Sequence, residues 1–299
     1  MPVETLVADL VAITGGEFTM GSDRHYPEEA PAHRVRVDDF RIDRRQVTNR
    51  EYAAFVRATG YRTVAERPLD PDAFPDAPAE NLQPGSMVFT GTPGPVDLRH
   101  LSQWWAWVPG ANWRRPTGPG STVAERAEHP VVHVAHEDAV AYAEWAGCRL
   151  PTEAEWEFAA RGGRHAASFT WGDDPEPAGA HLANYWHGDF PWRAAPGYGS
   201  TTPVGSFPAN GFGLFDMAGN VWEWTSDWYA GFETDGCCGP LPTAEASVEP
   251  GSGFAVPRRV VKGGSFLCAD SYCQRYRPGA RRGQAVDTGM SHVGFRVAY

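Results

Sequence analysis

The segment Lys262-Gly-Gly-Ser-Phe-Leu-Cys268-Ala-Asp-Ser-Tyr-Cys273-Gln-Arg-Tyr-Arg277 places two thiols five positions apart, directly after a Gly-Gly pair, in a 299-residue chain with only five cysteines. A thiolate is both a soft metal ligand and a redox nucleophile. Tyr272, Arg275 and Arg277 flank the pair, so the loop is polar as well as sulfur-bearing. Three plainer readings compete. A disulfide fits the geometry of two nearby cysteines but not a reducing compartment, and an odd cysteine count suits it poorly. Structural zinc wants four ligands, commonly from closely spaced Cys pairs, and no partner pair of that spacing is evident. Inert buried thiols are common, though two in one Gly-anchored polar loop would be a coincidence. Spacing alone leaves redox chemistry and metal binding both open.

The elements that must hold this loop read as one mixed domain over residues 1–299. The chain carries 33 glycines, 26 prolines and 12 tryptophans, a composition of many turns pinned by large aromatic side chains rather than of disorder. Thr48-Asn-Arg-Glu51 is a capping box that opens a helix ended by Gly60; His136 to Ala146 predicts a second, stopped by Gly147. Thr152-Glu-Ala-Glu155 opens a third, closed by Gly162-Gly163. Short strands are expected at 11–13, 18–20, 35–37, 40–42, 221–225, 259–262 and 294–299. Residues 66–130 show no sustained period and read as a long ordered excursion, and 231–257 as a flexible insert. The fold class is α+β.

A net charge of −11 argues against a nucleic-acid partner, since a phosphate-binding surface needs clustered Lys and Arg. No apolar run approaches the roughly 20 residues of a membrane helix. The first ten residues lack a basic region and are broken by Glu4 and Asp9, so no secretory leader is expected and the predicted location is the cytoplasm.

Several further segments carry a resemblance over essentially the whole chain: Gly15-Gly-Glu-Phe-Thr-Met-Gly21, His129-Pro-Val-Val-His133, Arg149-Leu-Pro-Thr-Glu-Ala-Glu-Trp-Glu157, Asn210-Gly-Phe-Gly-Leu214, Gly219-Asn-Val-Trp-Glu-Trp224 and Gly294-Phe-Arg296. With the Cys268–Cys273 loop, the sequence resembles the formylglycine-generating enzyme (sulfatase-modifying factor) family. That resemblance implies a single compact domain related to C-type lectins, with little regular secondary structure. It implies an oxidase that converts the cysteine of a Cys-X-Pro-X-Arg segment in an unfolded sulfatase to Cα-formylglycine, using O2 and Cu(I) held by Cys268 and Cys273. An incoming substrate thiolate would take the remaining copper position. A hydrogen would then leave the substrate Cβ, and hydrolysis of the thioaldehyde would give the aldehyde. Ser265 is expected beside Cys268, Tyr272 and Trp222 are expected to line the pocket, and Arg275 and Arg277 to hold the loop. A monomer is expected. Related activities on another thiol substrate, or a non-enzymatic lectin-like binding module, are the alternatives. An iron sulfoxide synthase is disfavoured, because its three-His set belongs to a separate helical domain for which the chain leaves no room.

The resemblance also implies structural Ca2+. One site would use Asp216, the carbonyls of Gly219 and Val221, and Glu223, whose rival role is a buried salt bridge with an arginine. The other would use Asn184 and the carbonyls of Tyr185 and Tyr198, with Pro196 where a carboxylate is usual. Two further departures are Ala269, often His in the family, and His292, often Asn; alone, His292 reads as a surface or supporting group rather than a ligand. Pro278 and Val297 stand where eukaryotic relatives carry extra disulfide cysteines. Cys148 reads as a passive helix-end thiol, and Cys237 and Cys238 have no assigned role.

Overall fold

Local capping chemistry sets the three α-helices of the described residues. In helix α1 (Asn49–Thr59), Thr48 accepts the Glu51 amide, Glu51 returns to the Thr48 amide at 2.7 Å, and Gly60 at φ 69° ends the helix. Helix α3 (Glu153–Arg161) repeats the arrangement with Thr152, Glu155 and left-handed Gly162. Helix α2 (His136–Trp145) starts differently: Ala135 cannot cap with its side chain, and Asp138 accepts the Ala135 amide at 2.8 Å instead. The computed structural model describes residues 9–71, 78, 82–164, 167–232, 242–251 and 255–299.

Among the described residues, twelve short strands accompany the helices. β1 (Leu10–Ile13) pairs with β4 (Phe40–Asp43), and β2 (Gly16–Met20) with β3 (His33–Val37), both antiparallel. β5 (Gly85–Phe89) and β6 (Trp105–Pro109) form a hairpin inside the excursion that showed no period in the sequence. β7 (Gly188–Asp189) and β8 (Arg193–Ala194) make a minimal hairpin. The main sheet has the order β11-β10-β9-β12, from β9 (Trp222–Trp228), β10 (Arg258–Lys262), β11 (Arg281–Ala285) and β12 (Val293–Gly294).

The strand expected at 294–299 is mostly not a ladder strand. Only Val293–Gly294 pair as one; beyond them the chain threads between other elements, with Phe295 and Val297 carbonyls accepting the Val47 and Asp43 amides at 2.9 Å. Ala298 exchanges both backbone bonds with Arg149, at 2.8 and 2.9 Å. Of the expected insert, 231–257, only part lies within the described residues, and Cys237 and Cys238 lie outside them.

One core cluster joins α1, α2 and the main sheet, and includes Tyr52, Tyr142, Trp222, Trp224 and both Cys268 and Cys273. A second lies under α3, around Phe18, Ile42, Trp156 and Phe158. A third, smaller one gathers Trp104, Trp186, Phe190, Phe266, Leu267 and Ala269. The thiol loop therefore lies at the junction of two cores. Among the described residues no helix is long and apolar enough to cross a membrane.

Candidate active site

Strand β10 delivers Lys262 into the interior, where its ammonium lies 2.8 Å from Glu157 and 3.6 Å from Glu153. Gly263 and Gly264 follow at φ 92° and 72°. A Cβ on Gly264 would sit 2.8 Å from the Arg275 carbonyl oxygen, so the two arms of the loop approach too closely for any other residue. The loop then tightens on itself. The Cys268 amide donates to the Ser265 carbonyl at 3.0 Å, the Leu267 amide to Ser265 Oγ at 3.2 Å, and the Cys273 amide to the Ala269 carbonyl at 2.7 Å. Two outside anchors fix its first arm. Phe266 donates to the Asn220 carbonyl at 3.0 Å, and Trp186 donates to the Cys268 carbonyl at 2.7 Å.

Both cysteines of the loop are free thiols and are buried, at 2% and 9% exposure. The Cys268 thiol donates a hydrogen bond to the Cys273 sulfur. That bond lowers Cys273 to about 7, helped by the Arg275 and Arg282 charges, while the same bond and burial push Cys268 well up. The pair thus holds one proton loosely and one tightly. Among the described residues no further His, Cys, Asp or Glu gathers with the two sulfurs into a metal-binding group, so a four-ligand zinc site is not formed there. Two buried, reduced, adjacent sulfurs fit a soft monovalent ion such as Cu(I).

The second arm is clamped from a distance. Arg277 meets Glu29 through two bonds, and Arg275 meets Glu28 at 2.6 Å while lying 4.0 Å over the Tyr26 ring. Tyr26 Oη accepts the Gln274 amide at 3.0 Å. Arg275 and Arg277 hold the loop as expected. Their partners, in Tyr26-Pro-Glu-Glu29, escaped the sequence reading, where an acidic pair after a proline signals nothing by itself.

Tyr272 is the exposed member of the group, 36% accessible, with its ring stacked on Phe190 at 4.8 Å and edge-on to Trp104 at 5.8 Å. Trp222 is buried in the same core as both cysteines, and its amide donates to the His292 carbonyl at 2.9 Å. His292 is not at the surface. Its ring packs 4.8 Å from Trp105, it is buried, and its Nδ1 has no partner among the described residues. Tyr276 bonds Asp270 through its hydroxyl and stacks on Tyr185 at 3.9 Å, tying the loop to residues 184–187. A cleft of about 350 Å³ opens beside Arg161 and Arg277, but neither cysteine lines it.

The two calcium expectations separate. Each carboxylate oxygen of Glu223 already has two donors: Arg296 at 2.6 Å and Trp156 Nε1 at 2.7 Å on one, Arg296 at 2.8 Å and Gln46 Nε2 at 2.9 Å on the other. These donors take up about four lone-pair directions of the carboxylate. Glu223 thus forms a buried ion pair with Arg296, the rival role named for it. Gln46 Nε2 also donates to the Val221 carbonyl at 3.2 Å and lies 3.4 Å from that of Asp216, so a donor occupies the space between the expected ligands. Asp216 itself is buried, accepts the Gly205 amide at 2.7 Å, and is pushed up to about 6 by burial. At the other position, Asn184 donates through Nδ2 to Ser200 at 2.9 Å, yet its buried Oδ1 has no partner among the described residues. An orphaned oxygen of this kind fits an oxygen-seeking cation.

This loop, with two reduced sulfurs sealed between cores and an aromatic face beside them, defines a thiol-chemistry site on a mixed α+β domain of few helices and many short strands. The chain belongs to the sulfatase-modifying factor family: the family description, a sulfatase-modifying factor enzyme 1-like domain, matches residues 1–299. It is 55% identical over 298 residues to the formylglycine-generating enzyme of Mycobacterium tuberculosis, covering 97% of each chain. It is 45% identical over 301 residues to that of Thermomonospora curvata, covering 99% of this chain and 94% of the relative. Among solved structures it resembles PvdO from Pseudomonas aeruginosa, with a TM-score of 0.62 and 26% identity over 97% of this chain and 93% of that one.

Proposed function

We propose that the protein is an oxidase that converts the cysteine of a Cys-X-Pro-X-Arg segment in an unfolded sulfatase to Cα-formylglycine, with O2 as acceptor and Cu(I) held by Cys268 and Cys273. The observation that carries this reading is the pair of free, hydrogen-bonded thiols in a closed loop. Bound Cu(I) would supply a soft, redox-active centre with one position left for a substrate thiolate. Cys273 gives up its proton first, because Cys268 donates to its sulfur and Arg275 and Arg282 favour the thiolate. Ser265 shapes the turn that presents Cys268. Tyr272 and Phe190 offer an aromatic face to an extended peptide, and Trp222 backs the thiols and excludes water. In the reaction, two hydrogens leave the substrate cysteine, from Cβ and sulfur, and reduce O2 to the peroxide level. Water then adds to the thioaldehyde and sulfide departs, leaving the aldehyde; any reduction past peroxide draws on an external thiol.

Ca2+ belongs to this reading at Asn184, with the Tyr185 and Tyr198 carbonyls. A cytoplasmic setting agrees with free thiols, which are the default state there. The acidic charge agrees with a peptide partner rather than nucleic acid, and the protein is taken to act as a monomer. The test is to incubate the purified protein with Cu(I) and a Cys-X-Pro-X-Arg peptide in air and follow the peptide mass. Conversion of the thiol to the aldehyde, abolished by Cys273→Ala, supports the reading; no conversion at full copper occupancy overturns it.

A further inference from the structure

Outside the thiol loop, three side chains converge that the proposed reaction does not use. Glu176 lies just before the tight turn at 177–179, His181 just after it, and His187 immediately before β7. One ligand atom from each falls within 4.8 Å of the others. His181 Nδ1 is 3.3 Å from Glu176 Oε1, and the two imidazole rings are 3.7 Å apart between centroids. A simple His–Glu ion pair accounts for His181 and Glu176 but not for the third member. His187 is only 8% exposed, and its Nε2 has no hydrogen-bond partner among the described residues. A buried ring nitrogen without a partner is costly unless something else meets it. The rings of Tyr185 and Tyr198 pack on His187 at 4.0 and 4.2 Å and give the group an apolar wall.

We propose that Glu176, His181 and His187 form a binding site for a divalent transition ion of the zinc class, separate from the thiol pair. Two imidazole nitrogens and one carboxylate oxygen are the donors that borderline ions such as Zn2+ prefer, and three protein ligands leave a fourth, water-filled position. Ca2+ is the wrong ion for two nitrogens, so this group differs in chemistry from the Asn184 oxygens nearby. The position in the chain gives the site a consequence. Trp186, the neighbour of His187, donates its amide to the Cys268 carbonyl at 2.7 Å, and Tyr185 stacks on Tyr276 of the thiol loop. An ion at 176–187 therefore fixes the segment against which Cys268 leans.

Co2+ is the direct probe, titrated into the full-length, reduced protein and read in the visible spectrum. The expected result is one equivalent with tetrahedral ligand-field bands and no thiolate charge-transfer band, displaced by Zn2+. His187→Ala should lose those bands or weaken binding at least about tenfold. His181→Ala should do the same, and because His181 is partly exposed its loss leaves the fold intact. Zn2+ should raise the thermal midpoint of the parent protein but not of His181→Ala. Absence of sulfur-free bands, or bands unchanged in both histidine variants, overturns the proposal.

Discussion

Arg277 and Glu29 form a two-bond ion pair, at 2.9 and 2.5 Å, between positions 248 residues apart, and both side chains are almost wholly buried. Removing one partner strands a charge in the interior. Arg277→Met should cost about 3–5 kcal/mol in urea denaturation. The neighbouring pair of Arg275 and Glu28 is about a quarter exposed, so water can compensate there. Arg275→Met should cost about 1 kcal/mol or less. Equal losses in the two variants would contradict the different burial of the two clamps.

The thiol pair is expected to act as a unit. Cys268→Ser and Cys273→Ser should each lower peptide conversion by more than about a hundredfold, since each removes one soft donor. A copper-binding titration should show the same loss, while circular dichroism stays near that of the parent. Conversion persisting within about tenfold in either variant would remove that cysteine from the site.

Gly264 is where the two arms of the loop approach most tightly, against Arg275 and Tyr276. Gly264→Ala places a Cβ 2.8 Å from the Arg275 carbonyl at a φ of 72°. Backbone strain of this kind costs about 1–3 kcal/mol, and the clash pushes the arms apart. The expected outcome is a lower denaturation midpoint together with weaker copper binding. A variant with unchanged copper affinity would show that the arms need not touch.

Chelation separates the two calcium expectations. If the orphaned Asn184 oxygen meets a cation, removing divalent ions should lower the thermal midpoint by several degrees, about 1–2 kcal/mol of stability in a chain this size. With transition ions absent throughout, so that only Ca2+ is removed, Asn184→Ala should be insensitive to the same treatment, and Asp216→Ala should still respond. The reverse pattern would return calcium to Asp216.

His136 supplies a pH dependence whose sign is fixed. It is the first residue of α2, and burial together with the Arg259 charge lowers it to about 4 from an unfolded value near 6.5. Between those values the unfolded chain takes up a proton that the folded protein refuses, so this stability is fully present above about pH 6.5 and is lost as pH falls toward 4. The helix N-terminus disfavours the imidazolium as well. Denaturation midpoints followed across this window should fall more steeply for the parent than for His136→Gln. Parallel curves would rule out His136 as a contributor.

The parts legible in the sequence were those written locally. Thr48 with Glu51 and Thr152 with Glu155 sit three positions apart, and the helices begin where those boxes place them. Strand β11 was not legible because Arg281-Arg-Gly-Gln-Ala has no apolar alternation; Arg281 is buried instead through its bonds to Glu153 at 2.7 and 2.8 Å. The β5–β6 hairpin escaped because a long connection, 90–104, replaces the short turn that announces a hairpin. In the site, the thiols and the Gly-Gly pair could be read directly. Glu28 and Glu29 could not, since contacts across some 250 positions leave no local pattern. Glu223 suits both a cation and an arginine by type, and nothing in its sequence neighbourhood announces that Arg296, 73 positions on, pairs with it.

The anchoring of the thiol loop by residues 26–29, 184–186 and 220 has a kinetic corollary. Until those distant pieces have come together, nothing covers either sulfur, and distant pairings form late because loop closure precedes their reward. A newly made chain therefore races oxidation against closure: sulfenic acid formation or a premature Cys268–Cys273 bridge on one side, burial on the other. Once closed, the loop leaves both cysteines buried, with little sulfur surface on which a sulfenic acid could form.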